Sequence, residues 1–184
     1  MNYPKIPNNP NFSSGPCSKY NGWSINNLGN SFLGRSHRSK EGILRLKNAI
    51  NETGELLNLP KDYILGIVPG SDTGALEIAL WNTLGPRGVD ILAWDSFGSD
   101  WVNDIVHQLS LSNTRVLKAE YGFIPNLKNV NFSNDVVFTW NGTTSGVCVP
   151  NADWIDKYRE GLTICDATSA VFAMEINWRK IDFF

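Results

Sequence analysis

Two short apolar runs, each stopping at a cluster of small polar residues, limit what this chain can fold into. Val136-Val137-Phe138-Thr139-Trp140 runs into Asn141-Gly142-Thr143-Thr144-Ser145-Gly146, and Leu162-Thr163-Ile164-Cys165 runs into Asp166-Ala167-Thr168-Ser169. A strand wetted on one face alternates apolar and polar residues, whereas near-continuous apolar runs of this length suit strands covered on both faces, as in a parallel sheet. Ligands of open sheets of that kind collect just past the carboxyl ends of the strands. The two polar clusters are therefore the first place to look for chemistry.

The rest of the chain supports an α/β reading. Ile43, Leu46, Ile50 and Leu57 recur at near-helical spacing after Ser39, a plausible N-cap, and Pro60 closes that helix. Residues 63–68, Tyr-Ile-Leu-Gly-Ile-Val, read as a strand. Pro69-Gly70-Ser71-Asp72-Thr73-Gly74 then leads into a helix with Ala75, Leu76, Ala79, Leu80 and Leu84 on one face, closed by Gly85-Pro86. A further strand is expected at 89–94, a helix bearing Trp101, Val102, Ile105, Val106 and Leu109, and a strand at 114–119. The two organising strands follow with a helix at 153–160 between them, and Lys180-Ile181-Asp182-Phe183-Phe184 opens another strand. Strands alternating with helices predict a largely parallel, doubly wound sheet. Residues 1–36, rich in Pro, Asn, Ser and Gly, read as an extended arm ahead of a domain at 37–184.

Charge and cysteines narrow the partner. A net charge of −2 over 184 residues offers no broad basic field for nucleic acid or anionic lipid, so a small molecule is expected. Cys17, Cys148 and Cys165 form no C-x-x-C pair and no even set, which fits neither a disulfide framework nor a common zinc motif. With no apolar run long enough to span a bilayer and no secretory pattern at the start, a cytoplasmic location is expected.

The candidate site residues then suggest a particular ligand. A strand, a Gly/Ser turn and a helix N-terminus at Ser71-Asp72-Thr73 form an anion-binding arrangement, because the first-turn N–H groups and the positive dipole end converge there. With an aromatic at Trp101, hydroxyls at Thr143-Thr144 and a carboxylate at Asp166, the set matches what pyridoxal 5′-phosphate needs. Taken singly, each has a plainer explanation: Trp101 as core, Asp166 as a helix cap, Thr143 as the close of a turn. His37 and Arg38 stand at the mouth of the first helix, where a guanidinium fork suits a carboxylate or phosphate, or simply faces water.

Five ordered motifs carry a family resemblance. Asn11-Phe12-Ser13-Ser14-Gly15-Pro16, Ser36-His37-Arg38-Ser39-Lys40, Val68-Pro69-Gly70-Ser71-Asp72-Thr73-Gly74-Ala75, Thr139-Trp140-Asn141-Gly142-Thr143-Thr144-Ser145-Gly146 and Cys165-Asp166-Ala167-Thr168-Ser169-Ala170 resemble the class V, fold-type I aminotransferases of the phosphoserine aminotransferase kind, from about Asn11 to Phe184. The resemblance implies an incomplete large domain of that fold and pyridoxal 5′-phosphate as cofactor. It implies that Asp72 and Thr73 take the cofactor phosphate, Trp101 stacks on the ring, Thr143 bonds its 3′-oxygen and Asp166 pairs with its nitrogen. His37 and Arg38 would hold the substrate anion. The implied reaction exchanges an amino group between L-glutamate and 3-phosphohydroxypyruvate, giving 2-oxoglutarate and phosphoserine, in a homodimer of serine biosynthesis. The family's Schiff-base lysine is expected beyond Phe184, in a Ser-Trp-Gln-Lys-like run, so no catalytic residue is assigned within 1–184 and Lys180 reads as a surface residue. The chain by itself is therefore expected to be inactive.

Two other readings stay open at this point. A Rossmann-type reductase would use Gly70-Ser71-Asp72-Thr73-Gly74-Ala75 as its phosphate turn and Asp95 for a ribose. A non-catalytic interaction module would dock a partner through the arm and exposed Trp residues.

Overall fold

The computed structural model describes residues 19–28, 34 and 36–184, so most of the arm expected at 1–36 lies outside the described residues. The chain divides into two compact units, Met1–Leu46 and Lys47–Phe184. In the first, a short 3₁₀ turn, Ile25–Leu28, follows Trp23, whose ring lies 5.2 Å below the Lys19 ammonium. Helix α1 (Lys40–Leu56) begins there and ends in the second unit. It starts where expected because the Gly42 N–H donates to Ser39 Oγ at 3.0 Å, satisfying one of the orphan donors of the first turn. None of its residues is fully buried. It stops at Asn58, whose φ of 51° is a left-handed turn that asparagine tolerates better than most residues.

The second unit is built on a four-stranded, all-parallel sheet. Its elements in chain order are α2 (Asp72–Thr83), β1 (Val89–Ala93), α3 (Ser96–Asn103), β2 (Thr114–Lys118), β3 (Asp135–Thr139) and β4 (Thr163–Asp166). The strand order is β2-β1-β3-β4, with Ile91 opposite Val116 on one side and Val137 on the other, and Val137 opposite Ile164. The period-2 alternation sends Val89, Ile91, Val137 and Ile164 to one face, where they pack with Leu76, Leu80, Trp101 and Ile105 of the helical layer. Leu92, Trp94, Val136, Phe138 and Cys165 go to the other, against Val149, Ala152, Ile155, Ala167, Ala170 and Ile181. Both faces are covered, which is why these strands read as unbroken apolar runs.

Three expectations are corrected. Residues 63–68 form no strand: they join no ladder, and Ile64 is 99% exposed. A strand needs a hydrogen-bonded neighbour, and the outer edge of β4 pairs instead with the chain's last residues, Cys165 N–H to the Phe183 carbonyl at 2.9 Å and Phe183 N–H to the Thr163 carbonyl at 3.2 Å. That pairing is the parallel bridge Ile164 to Phe183, so the strand expected from Lys180 is present only as its first contact. Residues 153–160 form turns rather than a helix. The Asp153 and Tyr158 N–H groups donate to Asn151 Oδ1 and Asp156 Oδ1, both at 2.8 Å, so side chains have taken the donors a helix would use. Finally, the helix bearing Trp101 is not uniform: after Asn103 it widens into a π-helical turn, Asp104–Gln108, which seats fully buried Ile105 against the sheet.

Candidate active site

The carboxyl ends of β1, β3 and β4 and the N-terminus of α2 meet in one place. A small cleft of about 70 Å³ is lined by Asp72, Phe97, Thr139, Asn141, Thr143, Asp166, Thr168 and Ser169. A wider, mainly apolar groove of about 800 Å³ shares Asp72, Asp166 and Thr168 with it and continues along Leu57, Ile64, Val68, Leu76 and Phe172. The sequence thus brings together three of its five expected cofactor residues, Asp72, Thr143 and Asp166.

Asp166 is the last residue of β4 and is held at both oxygens. The Trp101 indole N–H donates to Oδ2 at 3.1 Å, and the Thr168 N–H donates to Oδ1, also at 3.1 Å. The Thr168 contact is a local turn in which the side chain replaces a backbone acceptor. Trp101 comes from across the sheet. It is 4% exposed, packed in the helical layer, and touches the site through its ring nitrogen. In this arrangement Trp101 orients the carboxylate and does not line the cleft.

Thr143 lies in the loop after β3, its hydroxyl 2.9 Å from Ser169 Oγ. That loop is closed by the Gly146 N–H to the Gly142 carbonyl at 2.8 Å, with Gly146 at φ 72°. Thr139, at the end of β3 and 2% exposed, has no hydrogen-bond partner for its hydroxyl. A buried hydroxyl beside a cleft with no protein partner can donate to a ligand there.

At α2 the Ser71 hydroxyl accepts the Gly74 N–H at 3.3 Å and the Ser71 carbonyl accepts the Ala75 N–H at 2.9 Å. Helix geometry leaves the Asp72 and Thr73 N–H groups, both on exposed residues, for an anion. The Asp72 carboxylate works against an anion there, so its backbone is the useful part.

His37 and Arg38 occupy the exposed turn before α1, in the first unit, where the Arg38 N–H donates to Ser36 Oγ at 3.1 Å. Cys165, next to Asp166, is fully buried, and burial followed by the Asp166 charge pushes its thiol well above the ordinary 9.0. It is a core residue and not a nucleophile at neutral pH. Lys180, the one lysine after β4, donates its ammonium to the Ile155 carbonyl and is not among the residues lining the cleft.

Sequence reasoning gave no role to Thr139 and Ser169, and gave Asp95 one only as the ribose partner of the Rossmann reading. Asp95 had a readable signal, since Asp95-Ser96 directly after an apolar strand is a helix N-cap pattern. In the structure its two oxygens are both taken, by Gly98 and by Thr144, which removes the free carboxylate a ribose would need.

The sequence of a phosphoserine aminotransferase from Methanosarcina mazei is 61% identical to this chain over 178 residues. By sequence, nearly the whole chain is similar to that phosphoserine aminotransferase. A second phosphoserine aminotransferase, from Methanosarcina barkeri, is 60% identical over the same length. Each match takes in 97% of this chain and 48% of the relative, so the chain spans about half the length of the curated relatives it matches. No model of a known protein family matches it. Among solved structures, a phosphoserine aminotransferase from Cytophaga hutchinsonii superposes with a TM-score of 0.69 at 24% identity, over 82% of this chain and 43% of the other. A ureidoglycine-glyoxylate aminotransferase from Bacillus subtilis gives 0.63 at 17% identity, over 77% and 39%. These two structural likenesses bear on the fold alone: the parallel α/β sheet is shared with both.

Proposed function

We propose that residues 47–184 bind pyridoxal 5′-phosphate and that the chain serves phosphoserine transamination, O-phospho-L-serine and 2-oxoglutarate exchanging with 3-phosphohydroxypyruvate and L-glutamate. The observation that carries this reading is the carboxylate of Asp166, oriented by two N–H donors at the end of β4 in a cleft shared with Thr143 and the start of α2. When bound, the cofactor supplies the electron sink for amino transfer, provided its ring nitrogen stays protonated.

This chain's residues have separate tasks. Asp166 would pair with the ring nitrogen of the bound cofactor and hold its proton by charge. Trp101 keeps that carboxylate turned toward the cleft. Thr143 donates to the phenolic oxygen, with Ser169 fixing its rotamer. The Asp72 and Thr73 N–H groups and the Thr73 hydroxyl take the phosphate, as a helix start does for any phosphate ester. Unpartnered Thr139 gives the cleft one more donor. Arg38, with His37, offers an exposed guanidinium for the carboxylate or phosphate of an amino-acid substrate. A homodimer and a cytoplasmic location belong to the same reading. Among the described residues no helix is long and apolar enough to cross a membrane.

Titration of the chain with pyridoxal 5′-phosphate, followed by tryptophan fluorescence, tests the reading. Saturable one-to-one binding is expected, weakened about tenfold or more by Asp166→Ala, the equivalent of losing one charge-assisted contact. Borohydride reduction and mass spectrometry should find no stoichiometric lysine adduct. Affinity indifferent to Asp166, or a full adduct on Lys180, would sink it. In a chain as long as the relatives, Arg38→Ala should raise KM for both amino-acid substrates.

A further inference from the structure

We propose that Asp95 is a positioning residue for this site: one buried carboxylate ties the helix carrying Trp101 and the loop carrying Thr143 to the end of β1, and so sets their spacing around Asp166. The functional consequence rests on the cofactor reading above; the positioning itself does not.

Asp95 is the second residue after β1 and is 5% exposed. Its Oδ1 accepts the Gly98 N–H at 3.1 Å and caps α3, while its carbonyl accepts the Ser99 N–H at 3.1 Å and the Ser99 hydroxyl at 2.8 Å. An ordinary cap leaves its second oxygen to water. Here Oδ2 turns across the sheet end and accepts the Thr144 N–H at 3.4 Å and the Thr144 hydroxyl at 3.3 Å. The Thr144 hydroxyl also lies 3.2 Å from Ser96 Oγ, so the loop is bound to the start of α3 twice.

The loop is fitted to that carboxylate. A Cβ on Gly142 would come within 2.9 Å of Asp95 Oδ2 and 2.3 Å of Ser145 Oγ, so a glycine is what lets the backbone approach. From these two anchors, contacts run to the ligand-facing groups. Along α3 they lead to Trp101 and its bond to Asp166, and along the loop to Thr143 and its bond to Ser169. Asp95 therefore governs the aspartate and the threonine of the cleft without touching either.

A carboxylate is needed because both of its oxygens accept. Asparagine starts a helix as well as aspartate does. Asp95→Asn therefore keeps α3 through the shorter Gly98 bond and turns an NH₂ toward the Thr144 N–H, breaking the backbone half of the loop contact while the Thr144 hydroxyl can turn to accept. Thr144→Val removes the hydroxyl half of that contact without touching Asp95, and Thr144→Ser restores it.

Hydrogen exchange of the Thr144 amide and the Trp101 indole N–H, read by NMR on the ligand-free 184-residue chain, is the first measurement. The second is the affinity for pyridoxal 5′-phosphate beside that for inorganic phosphate. In Asp95→Asn both exchange rates should rise about tenfold or more, the loss expected for one hydrogen bond to a charged acceptor. Cofactor affinity should fall about tenfold while phosphate affinity stays within about twofold, because the α2 N-terminus is not tied to Asp95. Thr144→Val should move the same way by less, and Thr144→Ser should behave as the parent; this pair carries the test if Asp95→Asn does not fold. Unchanged exchange, unchanged cofactor affinity beside faster exchange, or a parallel loss of phosphate affinity would each overturn the proposal. If the parent chain binds no cofactor yet the variants still free the loop and the indole, the cofactor reading falls and the positioning stands.

Discussion

The bond between Trp101 and Asp166 is the contact that crosses the sheet to reach the site, and its strength can be worked out from its setting. Trp101→Phe keeps an aromatic ring and deletes the indole N–H that donates to Asp166 Oδ2 at 3.1 Å. A hydrogen bond to a charged acceptor contributes about 1.5–3 kcal/mol, and the lower end applies because Asp166 is only half-buried. The smaller ring in a place where tryptophan is 4% exposed adds about 1 kcal/mol from the space left behind. The expected loss is then about 2–3 kcal/mol, which at a urea slope of about 2–3 kcal/mol/M moves the midpoint by about 1 M. Far-UV circular dichroism reads the transition without relying on the replaced fluorophore. The sharper measurement is a double-mutant cycle with Asp166→Ala, where the two losses should overlap by about 1–1.5 kcal/mol. Losses that add to within about 0.5 kcal/mol would show that the two side chains act independently, and would refute the role given to Trp101.

Other consequences follow from the same geometry. At the start of α2, Asp72→Asn should leave phosphate affinity equal or slightly raised, since the carboxylate opposes an anion there, whereas Thr73→Val should weaken it; isothermal titration with inorganic phosphate distinguishes the two. Gly161 precedes β4 against the backbone of Asn134, where a Cβ would lie 1.7 Å from the carbonyl oxygen, so Gly161→Ala should cost about 3 kcal/mol or more in urea unfolding. Cys165 should stay closed to thiol reagents in the folded chain and react on unfolding, with Cys148 slowed as well because partial burial raises its thiol. Burial also raises the Tyr63 hydroxyl above its ordinary 10.0. In the folded state all three groups keep protons that the unfolded chain releases from the ordinary values of 9.0 and 10.0 upward. Stability present below about pH 9 should therefore decline as pH rises through about 9–11, and thermal scans across that window should show a falling midpoint.

The amino-acid sequence by itself determined the class of fold and the neighbourhood of the site. Runs such as residues 136–138 are apolar at every position because both faces of their strand are covered, and Ser71 and Ser39 start helices through their own hydroxyls, so these features are local or follow from period alone. Asp72, Thr143 and Asp166 were legible because each ends or begins an element whose type the pattern specifies. Residues 63–68 have strand composition, yet a strand exists only where another offers a ladder, and the neighbouring edge is occupied by Phe183. The 153–160 stretch has helical composition, but Asn151 and Asp156 capture its backbone donors. Tertiary structure alone decided that Trp101 meets Asp166 through its ring nitrogen and that Asp95 grips Thr144. Both contacts join residues 65 and 49 positions apart, set by how α3 crosses the sheet rather than by anything near them in the chain.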